Sequence, residues 1–126
     1  FPFMTPTTLE PVRDVAHLEA LIAGSSDRPL LLYKHSRSCG TSHEALDELR
    51  THLAKAPRDA TYAIVTVQGQ RDVSDAIALR LQLRHETPQA ILVRDGRPVW
   101  SASHFRVTSD AIARAIDEAS TAALTR

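Results

Sequence analysis

Among 126 residues there is one cysteine, Cys39. A lone cysteine excludes an internal disulfide and suits a reducing cytosol. It also excludes a two-thiol redox cycle within one chain, because the partner position of a C-x-x-C pair is Ser42. Charge is balanced, with 15 basic and 15 acidic residues, which argues against a nucleic-acid or anionic-membrane surface. No apolar run approaches the roughly 18–20 residues that span a bilayer. No segment has the basic, apolar, small-residue order of a secretory signal. Among the four glycines there is no phosphate-cradling loop. Six histidines and one cysteine show no zinc spacing, so no metal site is expected. Repeats, low-complexity tracts and long linkers are also missing. What remains, 43% apolar and 24% charged, is the composition of one soluble domain with one core.

Residues 1–13 read as an N-terminal extension, with 1–3 a remnant ahead of a natural start at Met4, and 14–126 as a single domain. Hydrophobic periodicity predicts a helix from about Asp14 to Ala23, with Val15, Leu18, Leu21 and Ile22 on one face and Gly24 as its stop. Pro29 to Lys34 is a buried strand. A helix from Cys39 to about Ala56 turns Ala45, Leu46, Leu49 and Leu53 inward, and Pro57 ends it. Thr61 to Val67, rich in β-branched residues, is a second central strand. Asp72 to about Leu83 is helical, with Val73, Ile77 and Leu81 in a row. Ala90 to Arg94 and Arg97 to Ser101 form a hairpin around Asp95-Gly96. Pro98 puts the second of these strands at a sheet edge. The last helix starts near Thr108, Ser109 or Asp110, with Ala111, Ile112, Ala115, Ile116 and Ala119 inward. A short strand also fits around Leu9 to Val12. The order α-β-α-β-α-β-β-α is an α/β plan: a central mixed sheet of about four strands with helices on both faces, as in the thioredoxin fold.

Cys39 falls where the first central strand hands over to a helix N-terminus. Unpaired N–H groups and the positive end of the helix dipole favour a thiolate there, and a low-pKa thiol is a nucleophile at neutral pH. Ser42 lies one helical turn on, able to donate to the thiolate and unable to resolve a disulfide. Arg37 or a protonated His35 would lower the thiol pKa further. His17, His43 and His52 lie on helices and read as surface residues, and Trp100 as a packing residue.

Four local sequences converge: Lys34-His35-Ser36-x-x-Cys39-x-x-Ser42, Arg71-Asp72-Val73-Ser74, His85-Glu86-Thr87-Pro88-Gln89, and Val99-Trp100-x-Ala102-Ser103-His104 followed by Val107-Thr108. Together they resemble the monothiol bacilliredoxins of the YtxJ/BrxC type, members of the thioredoxin superfamily, over about Pro29 to Ala119. The resemblance implies a bacterial cytoplasmic thiol–disulfide oxidoreductase with Cys39 as its catalytic residue. It would remove bacillithiol from proteins to which it is disulfide-linked, with no tightly bound cofactor and bacillithiol as thiol co-substrate. The implied partners are S-bacillithiolated clients and a reductant, either bacillithiol or another redoxin. The resemblance further implies a cis peptide before Pro88, with Thr87 offering its backbone to a peptide or thiol ligand. His85, Glu86, Ser103 and His104 would border that ligand. One departure is Gly40, where the family usually has proline. The Cys-Gly-x-Ser spelling is also similar to monothiol glutaredoxins, which use glutathione or bind an iron–sulfur cluster. A non-catalytic thioredoxin-like adaptor is the remaining alternative.

Overall fold

In the computed structural model, residues 8–124 are described. Residues 1–7, including the expected start at Met4, lie outside them. The elements follow in the order β1 (Leu9–Pro11), α1 (Val15–Ala23), β2 (Leu30–His35), α2 (Gly40–Lys55), β3 (Thr61–Thr66), α3 (Arg71–Leu81), β4 (Gln89–Arg94), β5 (Arg97–Ser103) and α4 (Ser109–Leu124), with 3-10 turns at Gly24–Ser26 and His104–Arg106. The sheet has five strands in the order β1-β3-β2-β4-β5. β1, β3 and β2 run parallel, and β4 and β5 are antiparallel. The architecture is that of the thioredoxin fold, with β1 as a fifth strand beyond the four expected.

Local chemistry sets the boundaries. Asp14 caps α1 by accepting the His17 N–H at 2.7 Å. At the start of α4, Thr108 Oγ1 accepts the Ala111 N–H at 3.1 Å, and Glu48 Oε1 accepts the Ser109 N–H at 2.8 Å. Asp95 and Gly96 both have positive φ, 54° and 75°, as a two-residue hairpin turn requires. β5 is the sheet edge, so Pro98 costs no ladder bond on its open side. β5 runs to Ser103, two residues further than expected, because its pairing with β4 continues to Gln89–Ser103.

Alternation along β2 divides the core. Leu31 and Tyr33 face α2 and α4, and pack with Leu49, Tyr62, Leu92, Ile112 and Ile116. Leu30 and Leu32 face α1 and α3, and pack with Leu18, Ile22, Val65, Val73, Ile77 and Ile91. All six β2 residues are buried, as a central strand covered on both faces must be.

Three helical positions correct the sequence reading. Val15 is exposed; its side chain leans towards the helix N-terminus, where no earlier turn of α1 covers it. His52 is buried at 1% exposure, with Nε2 2.7 Å from the Tyr62 hydroxyl. It stands three residues after Leu49 and seven after Ala45, in the inward stripe of α2. His17 is also mostly buried, its Nε2 2.9 Å from Glu10 Oε2. His43 is exposed, as expected.

Candidate functional site

The C-terminal ends of β2 and β3 meet the N-terminal ends of α2 and β4 at one edge of the sheet. Cys39 sits there as the N-cap of α2, in extended conformation (φ −116°, ψ 122°), partly exposed. Its thiol is held below its ordinary pKa. The backbone N–H of Ser42 contributes most, against some desolvation, followed by the N–H of Thr41 and the two hydroxyls. Unpaired helix N–H groups turned on an anion are the physical cause. Ser42 is fully buried, and its Oγ also accepts the Ser36 N–H at 3.2 Å. Thr41 was not singled out from sequence; its signal is a hydroxyl two residues after an N-capping cysteine. Gly40 has no neighbour within 4 Å of where a Cβ would stand, so packing does not demand glycine there.

Tyr33 supports this turn from below. Its hydroxyl donates to the Ser42 carbonyl at 2.8 Å and lies 3.2 Å from His35 Nδ1. His35 is buried, and burial followed by the nearby charges of His43, Arg50 and Arg37 lowers its pKa. It is therefore a neutral imidazole at neutral pH, and the expectation that a protonated His35 draws down the thiol is corrected. Arg37 is exposed and acts through its backbone: its N–H donates to Gln68 Oε1 at 3.0 Å, and His43 Nε2 donates to its carbonyl at 3.0 Å. The groups that lower Cys39 are the helix N–H groups and hydroxyls.

The Thr87–Pro88 peptide is cis. The Pro88 carbonyl accepts the His104 N–H at 3.0 Å, tying this loop to the end of β5. Ser103 Oγ donates to Glu86 Oε2, and that hydroxyl, despite desolvation, keeps the Glu86 carboxyl below its usual pKa. Glu86, Ser103, His104 and Arg106 border one cavity of about 520 Å³. A second, of about 430 Å³, lies between Phe105 and the acidic face of α2, where Glu44, Asp47 and Glu48 line it. Phe105, 77% exposed, borders both.

His85 is parted from this group. Its Nδ1 lies 2.6 Å from Lys34 Nζ and 3.3 Å from Ser74 Oγ, on the α3 side. Lys34 is fully buried; the sequence places it at the end of a buried strand and at the head of the motif leading to Cys39, with no role of its own. Burial lowers its pKa to about 8, partly opposed by the nearby Asp75 carboxylate. Gln68 was also missed. Its amide accepts from the Arg37 N–H and donates to Ser36 Oγ and Ser38 Oγ at 3.0 and 3.2 Å, fixing the loop before Cys39.

A thioredoxin fold with a single thiol at the N-terminus of α2, at the same end of the sheet as a cis-proline loop, is the layout of the thiol–disulfide oxidoreductase class. The sequence profile of the monothiol bacilliredoxin BrxC family matches residues 10–112. The chain belongs to that family. Among solved structures, it is similar to a thioredoxin-fold protein provisionally assigned as an oxidoreductase, at 29% identity and a TM-score of 0.76, covering 85% of this chain and 92% of that one. It shares the fold of the thioredoxin of Trypanosoma brucei brucei, at 11% identity and a TM-score of 0.74, over 94% and 96% of the two chains. It likewise shares the fold of Fasciola hepatica thioredoxin, at 18% identity and a TM-score of 0.70, over 87% and 98%. Among the described residues no helix is long and apolar enough to cross a membrane.

Proposed function

We propose that this protein is a cytoplasmic debacillithiolase working through one thiol. The Cys39 thiolate attacks the bacillithiol sulfur of a client–bacillithiol disulfide. The client–bacillithiol S–S bond breaks, a Cys39–bacillithiol disulfide forms, and the client sulfur leaves as a thiolate that takes a proton from water. A second thiolate, from free bacillithiol or another redoxin, then attacks the bacillithiol sulfur: the Cys39–bacillithiol bond breaks, bacillithiol disulfide or a redoxin–bacillithiol disulfide forms, and Cys39 leaves as its thiolate. The observation that carries this reading is the lone N-cap thiol with a buried serine three residues on. Ser42 and Thr41 lower the thiol pKa, and neither can close a disulfide, so the mixed disulfide must wait for an outside thiol. No resident cofactor enters the cycle. Thr87 and the cavity of Glu86, Ser103 and His104 are the groups offered to the bound thiol or client.

The test is transfer from a bacillithiolated client, followed on both proteins by intact mass, with a glutathionylated client in parallel and Cys39→Ser as control. Loss of bacillithiol from the client and its appearance on Cys39, with little glutathione transfer, is the expected result. Preferential glutathione transfer, or no transfer of either, would overturn the proposal.

A further inference from the structure

The cavities at the Cys39 end of the sheet differ in charge. The one against α2 carries the three carboxylates of Glu44, Asp47 and Glu48. The one at the end of β5 pairs the Glu86 carboxylate with the Arg106 guanidinium. A third, of about 330 Å³, lies between the end of β3 and α3, lined by Val67, Gln68, Arg71, Ser74, Asp75 and His85. Arg71 and Asp75 there bring one charge of each sign, and the Lys34 ammonium lies one hydrogen bond behind the wall, on His85 Nδ1. Among these three it is the cavity with a fully buried cation directly behind a lining side chain.

Lys34 also decides what His85 presents. Two nitrogens 2.6 Å apart must share one proton between them, so ammonium and imidazolium cannot coexist there. Burial, then the Lys34 charge, lowers the His85 pKa. The ring is therefore neutral, with Nδ1 accepting from Lys34 and its own proton on Nε2. A lysine with no solvent exposure, bonded to a neutral imidazole and only partly compensated by the nearby Asp75 carboxylate, is a poor stabilising device, since burying a charge is costly unless it is closely paired. It is well suited to fixing a donor. Gln68 joins this cavity to the thiol, because the amide that lines it also holds Ser36, Arg37 and Ser38 ahead of Cys39.

We propose that the cavity between β3 and α3 is a carboxylate subsite, in which Arg71 and the His85 Nε2–H, oriented by Lys34, hold the anionic end of the thiol ligand whose sulfur is bonded to Cys39. Asp75 offsets part of the positive charge and limits the site to a single carboxylate. The inference rests on the reading of Cys39 as a centre of thiol exchange with a carboxylate-bearing thiol. Arg71 and His85 touch the ligand; Lys34 acts through His85 and is a positioning residue.

The test loads Cys39 chemically, from an activated mixed disulfide of the thiol, so it does not depend on turnover. The exchange equilibrium of the loaded protein against 2-mercaptoethanol is read by intact mass. The loaded thiols are bacillithiol and glutathione, each as the free acid and with its carboxylates esterified. Esterification should weaken retention about tenfold in the wild type, the order expected for losing a charge-assisted hydrogen bond. The difference should vanish in Arg71→Gln, a change at an exposed position, and shrink in Lys34→Met. A comparable carboxylate effect with glutathione would support the subsite and widen its ligand to carboxylate thiols in general. In ¹H–¹⁵N spectra of the loaded protein, shifts at Gln68 to Ser74 and at the His85 ring nitrogens are expected. No effect of esterification, a full effect surviving in Arg71→Gln, or shifts confined to Ser101–Arg106 would overturn the subsite. Failure of enzymatic debacillithiolation with this loading behaviour intact would strike the proposed function alone.

Discussion

Tyr33 and Lys34 are neighbours on the central strand, both fully buried, on opposite faces of one sheet. Each carries a polar tip to the edge where Cys39 sits, and each solves the burial problem differently. Tyr33 gives its proton to the Ser42 carbonyl in the first turn of α2, and burial keeps its hydroxyl un-ionised far above the usual range. It is a neutral strut under the thiol. Lys34 pairs with His85 in the loop before Pro88, and burial brings it down to about 8. It carries a charge that a working pH can remove. The two faces thus combine one fixed support with one titratable one, and buried charge is the costly choice. A costly group kept in place beside a cavity is a pointer to use.

The largest expected effects test whether the faces are equal away from this edge. Leu31→Ala and Leu32→Ala should each cost about 2–5 kcal/mol, measured by urea unfolding. A much smaller loss on one face would mean that its helices do not close the core. Next, Tyr33→Phe should cost about 1–2 kcal/mol, because the Ser42 carbonyl loses a buried donor. Lys34→Met should be neutral or stabilising, since an apolar chain of similar length replaces a buried ammonium. If the lysine substitution proved the more damaging of the two, the contrast drawn between them would be wrong.

Smaller effects appear in pH profiles. Lys34 titrates at about 8 when folded and 10.5 when unfolded, so between those values the unfolded chain binds more protons and stability rises with pH. From pH 8 to 10 the wild type should gain stability relative to Lys34→Met. Above 10 the buried tyrosines pull the other way, because their hydroxyls ionise more readily unfolded. On the acid side, His35, His52 and His85 are all held below the ordinary histidine pKa of 6.5. The unfolded chain therefore takes up protons first, and stability should fall as pH drops below about 6.5, less steeply in His52→Phe. An unchanged slope in that variant would remove His52 from the account. The smallest effect is on the thiol: Ser42→Ala and Thr41→Val should move the iodoacetamide reactivity profile of Cys39 upward towards its ordinary value. A downward shift in either variant would show that the hydroxyls do not stabilise the thiolate.

Periodicity, turn chemistry and proline placement determined most of the fold. The alternating faces of β2, the Asp95-Gly96 turn, the edge position of Pro98 and the inward stripes of α3 and α4 follow from local rules that neighbours in sequence obey. The lone thiol at a strand-to-helix junction was equally legible, because its position needs only a strand end, a cap and the absent second cysteine. Tertiary structure alone decided the rest. His52 reads as a surface residue until Tyr62 arrives from β3, ten positions away, to satisfy it. His85 and Glu86 are adjacent in the chain and divide between two cavities, because Lys34, 51 residues distant, takes one and Ser103 the other. Burial of a charge is set by what covers it, and a polar group's role is set by the partner that folding brings to it. Neither is encoded in the residue or its neighbours, so in the sequence Lys34 is the end of a buried strand and the head of a motif, with no role of its own.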